Sequence, residues 1–156
     1  MLTALVSNSI DVKVTETIGG FRMFNNNFND AMGKLILRLT VAGLMLFHGV
    51  AKIMHPGSLE FIGNSLSSSG MSPAIAYGVL VGEIVAPLMI IIGLYTRVGG
   101  LIIVVNMIFA IVLVHSGDIF SITKHGGWAL ELQAFYLFGG LVIAILGSGK
   151  IAVKSD

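Results

Sequence analysis

Four long apolar runs dominate the chain: Leu35–Met54, Pro73–Leu94, Val98–His115 and Trp128–Leu146. Each approaches the roughly 20 helical residues needed to cross a hydrocarbon core about 30 Å thick. The pattern predicts an all-α, polytopic membrane four-helix bundle. Residues 34–150 form the membrane domain, 1–33 an N-terminal extension and 151–156 a short tail. Within the extension, Phe21, Phe24, Phe28 and Met32 recur at helical spacing opposite Arg22, Asn25, Asn26 and Asn27. That spacing predicts an amphipathic helix lying in the membrane interface, with a docking surface for a partner as the alternative. Between the first two spans, Leu59–Leu66 predicts a further short amphipathic turn before Ser67-Ser68-Ser69-Gly70.

Composition agrees with this solvent. Hydrophobic residues make up 55% of the 156 positions and charged residues 11%, against roughly 25% charged in soluble domains. Mean hydropathy is +0.93. A net charge of +1 without a basic patch gives no reason to expect nucleic acid as a partner. The absence of cysteine excludes thiolate chemistry, disulfide exchange and iron–sulfur ligation by this chain's own side chains. Lys13, Arg22, Lys34, Arg97, Lys150 and Lys154 fall on one side of the predicted spans. By the positive-inside rule both termini are then cytoplasmic, and 55–72 and 116–127 face outward.

The spans carry groups that a bilayer should reject: Arg38, His48 and Lys52 in the first, Glu83 in the second, Asn106 and His115 in the third, Glu131 and Gln133 in the fourth. An ionised group near a helix centre costs about 2.5–3.5 kcal/mol on insertion scales, so such groups are expected to face one another inside a bundle. Arg38, His48 and Lys52 share a sector of about 80° on one helix. Arg38 sits about 21 Å from Lys52 along the axis, where it either snorkels to headgroups or points inward. On the second span, Ala74, Gly78, Gly82 and Ala86 form a small-residue stripe that permits close helix contact. Pro87 follows Glu83 by four residues, so the proline ring collides with the Glu83 carbonyl and the helix is expected to break at the carboxylate.

Counting depth from the outer ends places His48, Lys52, Glu83, His115 and Glu131 in the outer half of one cavity. Asn106 and His115, nine residues apart, fall on opposite faces of a straight helix, so both face inward only if the chain bends near His115. No ligand pair has HxxxH or ExxH spacing, and no metal site is expected. The mixed charges instead fit a small polar or quinone-like molecule, with cations donating to carbonyl oxygens and carboxylates relaying protons.

Phe47-His48-Gly49-Val50-Ala51-Lys52, Gly82-Glu83, Gly93-Leu94-Tyr95-Thr96-Arg97, His115, Gly126-Gly127-Trp128-Ala129-Leu130-Glu131 and Leu146-Gly147-Ser148-Gly149-Lys150 together resemble the DoxX family. The resemblance spans about 34–154. It implies a four-helix protein of a bacterial or archaeal cell (inner) membrane, with His48, Lys52, Glu83, Arg97, His115 and Glu131 as signature positions. It also implies association with membrane oxidoreductase assemblies; the family takes its name from a subunit of a thiosulfate:quinone oxidoreductase.

The leading functional expectation is therefore an integral membrane subunit of a quinone-linked oxidoreductase system. Glu83 and His48 would be catalytic, Lys52, Glu131, His115 and Asn106 would bind substrate, and Arg38, Arg97, Pro87, Gly78 and Gly82 would be structural. Other membrane subunits or further copies of the chain are the expected partners. The alternatives are a non-catalytic scaffold subunit and a small transporter or proton path.

Overall fold

The computed structural model describes residues 26–156, and the expected interfacial helix, apart from its last residues, lies outside them. Helix α1 runs Asn26–Met54. It begins nine residues before the predicted span because nothing from Asn26 to Leu35 stops it. Phe28, Ala31, Met32 and Leu35 continue the apolar period, and Gly33 is tolerated. Phe28 and Met32 are therefore part of the first long helix.

Helix α2, Gly57–Ser68, follows a short turn at His55-Pro56. It is the predicted amphipathic turn, grown to 12 residues, with Gly63 and Leu66 buried. Ser69 and Gly70 end it, their amides bonded to Leu66 and Ser67 carbonyls.

The second span is a single rod of changing helical form. A 3-10 turn, Pro73–Tyr77, leads into α3, Gly78–Leu80. A π turn, Val81–Val85, leads into α4, Ala86–Ile92. Gly93, at φ 75°, ends α4 in a Schellman motif: the Gly93 amide bonds to Ile90 and Met89, and Leu94 reaches back to Met89. Helix α5, Thr96–Leu113, returns across the bundle. A loop containing a 3-10 turn at Ser116–Asp118 leads to α6, Glu131–Leu146. Among the described residues the sole strand-like feature is an isolated antiparallel bridge between Ile122 and Trp128.

Among the described residues, three helical rods, Phe28–Met54, Pro73–Ile92 and Thr96–Leu113, are long and apolar enough to cross a membrane. The fourth predicted span is shorter than expected. Trp128 is held in the bridge and donates its amide to Glu131, so α6 starts at Glu131. Its 16 residues reach about 24 Å, short of a full hydrocarbon core.

Helix α6 packs along α5 through glycines. A Cβ at Gly100 would sit 2.6 Å from the Gly140 carbonyl oxygen, and one at Gly140 would sit 3.0 Å from that of Gly100. The two backbones touch where the helices cross, as small residues allow in membranes. Around them, Val41, Met45, Ala86, Ile90, Ile103 and Ile143 form the buried core. Large apolar side chains such as Phe47, Val112 and Phe138 are exposed, as lipid-facing positions should be.

Candidate functional site

Arg38 defines one end of the bundle. It is 1% exposed and points inward rather than snorkelling. Its Nε donates to Ile90 O at 2.8 Å and its Nη2 to Ile91 O at 2.9 Å. Its Nη1 donates to Ser148 O and Ile151 O, both at 2.7 Å. One guanidinium thus satisfies the last carbonyls of α4 and binds the tail to them, at the helix end where a cation is favoured.

Arg97 does the same for α6, with Nη1 donating to Ala144 O and Ile145 O. The tail folds back so that Val153 N and Lys154 N donate to Ile92 O and Gly93 O. Asp156 closes it, accepting from Arg97 N at 3.0 Å and Ser148 N at 2.8 Å. Partial burial opposes ionisation of Asp156, but these amide donors and the Ser148 hydroxyl outweigh it and hold the carboxyl below its ordinary value.

The opposite half of the bundle carries the candidate site. Lys52 Nζ lies 2.8 Å from Glu83 Oε1 and 2.7 Å from Oε2, joining two spans. Glu83 is 5% exposed. It lies in the π turn, which accommodates Pro87. Without an amide, Pro87 cannot bond the Glu83 carbonyl, and the ladder widens so that Ala86 N reaches Val81 O. Gly49 brings α1 against this break, since a Cβ there would stand 2.5 Å from Glu83 O.

Beside the pair is a cavity of about 640 Å³, within the usual size of ligand pockets. Lys52, Glu83, Asn106 and His115 line it from three spans and the loop after α5. Its other walls are largely apolar: Phe61, Ile62 and Leu66 from α2, Ile75 and Val81 from the second rod, Val105 and Phe109 from α5.

His115 reaches the cavity because α5 stops at Leu113. At φ −118° and ψ 16° His115 has left the helix, which frees it from the face opposite Asn106. Its Nδ1 lies 3.1 Å from Asp118 Oδ2. Asn106 packs directly on Gly82, where any Cβ would collide with it. Asn106 Nδ2 is buried and, among the described residues, has no hydrogen-bond partner.

Two expected members are elsewhere. His48 does not line the cavity; its ring meets Tyr136 edge-on at 5.5 Å. Its position four residues from Lys52 puts it on the same side of α1, but facing α6. Glu131 is exposed at the start of α6, its Oε1 accepting from Trp128 N at 3.0 Å. It acts as the acid of a helix N-terminus, a local role its own spacing explains. The small-residue stripe is also only half used. Gly82 and Ala86 are buried in the helix contact, whereas Ala74 is exposed and Gly78 meets nothing and opens onto the cavity.

Sequence reasoning missed Tyr136, which is 4% exposed and packs on both His48 and Phe135. It also missed the Gly100–Gly140 crossing, for which the Gly-Gly pairs in two apolar runs were the available signal. Among the described residues no group of three or more His, Asp or Glu side chains could hold a metal ion.

Comparison with known proteins bears on the same region. The DoxX family model matches residues 33–116, a stretch that contains Lys52, Glu83, Asn106 and His115. The chain is 32% identical over 126 residues to an uncharacterized protein of Haemophilus influenzae, covering 76% of this chain and 86% of that relative. No solved structure matches the chain at a significant level. With more than half its length under the family model and apolar helices long enough to span a bilayer, the chain belongs to the DoxX family and is a multi-pass membrane protein.

Proposed function

We propose that the protein is a membrane subunit of a quinone-linked redox system and that the cavity beside Lys52 and Glu83 receives a quinone head group. The observation that carries this reading is a charged pair from two spans set into the wall of a largely apolar cavity. Lysine has three donor hydrogens, and Glu83 occupies two of them. The third is available to a carbonyl oxygen in the cavity. His115 offers a second hydrogen-bonding group at the loop side, and Asn106 an unpartnered amide at the wall. The donors and apolar walls fit a ring with carbonyl oxygens and a hydrocarbon tail.

A bound quinone would supply two-electron, two-proton redox chemistry. Lys52 would bind and orient the head group and Glu83 would hold Lys52 in place; were a quinol oxidised in the cavity, Glu83 would be the carboxylate nearest to take up one of the two protons it releases. Arg38 and Arg97 would keep the far end closed and rigid. In this reading the cavity end faces outward, both termini are cytoplasmic, and the membrane is the prokaryotic inner membrane. Without cysteine, electrons arrive from a partner subunit or from a second ligand.

Mass spectrometry of protein extracted gently from its own membrane, before and after Lys52→Met, tests the reading. Co-purified quinone that is lost with Lys52→Met supports it. No quinone in either sample contradicts it.

A further inference from the structure

The cavity's charge and the placement of its walls carry a more specific conclusion, which rests on the reading above. Among the described residues lining it, Lys52 is the sole permanent cation, and Glu83 neutralises it at 2.7–2.8 Å. His115, the other group able to carry positive charge, already faces Asp118. The lining therefore holds no net formal charge. A small anion entering it would lose its water and gain no uncompensated positive field, which disfavours it strongly.

The walls also expose apolar surface. On the α2 side Leu66 is buried, while Phe61 and the first residues of the helix, Gly57 and Ser58, are exposed. Ile75 and Val81 on the second rod and Val105 and Phe109 on α5 are each close to half exposed while lining the same cavity. All four lie within stretches long enough to span the membrane. Exposure at those positions is exposure to lipid. Gly78, with nothing within 4 Å of its Cβ position, leaves that side open.

We infer that the cavity opens sideways to the bilayer between the second rod and α5, and takes an uncharged, lipid-dissolved carbonyl compound from the membrane rather than an anion from water. Lys52 then serves as a hydrogen-bond donor whose charge is already spent on Glu83. Glu83 thereby becomes a specificity residue: it excludes anions by cancelling the charge that would attract them.

The test uses the full chain in proteoliposomes with two probes, decylubiquinone, neutral and lipid-dissolved, and anthraquinone-2-sulfonate, anionic and water-soluble, neither of which reacts with lysine amines. Equilibrium binding and the rate of uptake are both measured. The expected result is binding of the neutral probe at least about tenfold tighter than the anion, with Glu83→Gln narrowing that gap by about tenfold. Because Glu83→Gln removes half of a buried pair and could impair folding, a second variant is placed on the lipid-facing side. Val105→Trp should slow uptake of the neutral probe by about tenfold or more at unchanged thermal stability. Equal binding of the two probes by the unaltered protein, or uptake indifferent to Val105→Trp, overturns this inference and leaves quinone binding standing. Binding of neither probe overturns both.

Discussion

Pro87 lies one helical turn beyond Glu83, and the backbone between them widens into a π turn at the residue whose carboxylate holds Lys52 of another span. The break and the ion pair are two consequences of one spacing. The proline removes an amide and pushes the ladder open. Gly49 then lets α1 approach closely enough for Lys52, three residues on, to reach the carboxylate. A regular helix at this point would carry Glu83 at a different angle.

Because the pair spans two helices and Glu83 is buried, removing one partner strands the other. Lys52→Met and Glu83→Gln should each destabilise the protein by about 2–3 kcal/mol, somewhat below the fully buried case because Lys52 keeps partial exposure. The double variant should recover part of the summed loss, with a coupling of about 1–2 kcal/mol. Equilibrium unfolding of the four proteins in mixed micelles measures this, and strict additivity would show that the pair does not form.

Arg38 holds four carbonyl groups that belong to α4 and the tail. Orphaned buried carbonyls cost about 1–3 kcal/mol each, so Arg38→Leu should lose about 3 kcal/mol or more. Arg38→Lys should not restore it, since a single ammonium cannot span both strands of the clasp. Thermal unfolding of the two variants, compared with each other, separates fork geometry from charge; equal stability of Arg38→Lys and the parent would contradict the assignment.

Close backbone contact at the α5–α6 crossing makes Gly100 intolerant of bulk. Gly100→Val should cost about 2 kcal/mol or more through collision with Gly140 and Ala144. Gly43→Ala, in a helix interior with nothing near its Cβ position, should cost nothing and gain up to about 1 kcal/mol from helix propensity. Matched unfolding curves for these two variants would refute the packing described.

The tail clasp should respond to acid. Asp156 has its carboxyl depressed below the ordinary 3.8, so its contribution is fully present above that value. It is lost as pH falls further, through the lower folded value. Exchange at the Ser148 and Arg97 amides, corrected for intrinsic rate, should accelerate across that window, and Asp156→Asn should abolish the pH dependence.

Legibility of the sequence divided along a physical line. Elements set by local pattern were readable: the apolar lengths of the first three spans, the helix at Leu59–Leu66 and the disturbance expected where Pro87 follows Glu83. Lys52 and Glu83 could be brought together by depth alone, because both sit in the same half of their spans. What depth cannot supply is azimuth. His48 shares a side of α1 with Lys52, yet it faces Tyr136 of α6, a neighbour fixed by tertiary packing. Glu131 was misplaced because a helix was extended to Trp128; the side chain in fact serves the backbone three residues earlier. Arg38 finds partners 52 to 113 residues away, contacts that no local period encodes. His115 joined the cavity because α5 ends at Leu113, a boundary two residues short of the apolar pattern.

A photoreactive quinone analogue, activated in proteoliposomes and mapped by peptide mass spectrometry, would locate the ligand on this architecture. Labelled residues should cluster on Phe61, Val81, Val105 and Phe109, with labelling suppressed by excess unmodified quinone and weakened by Lys52→Met. Labelling confined to exposed side chains outside the cavity, such as Phe47, Phe138 or Val142, would contradict the proposed site.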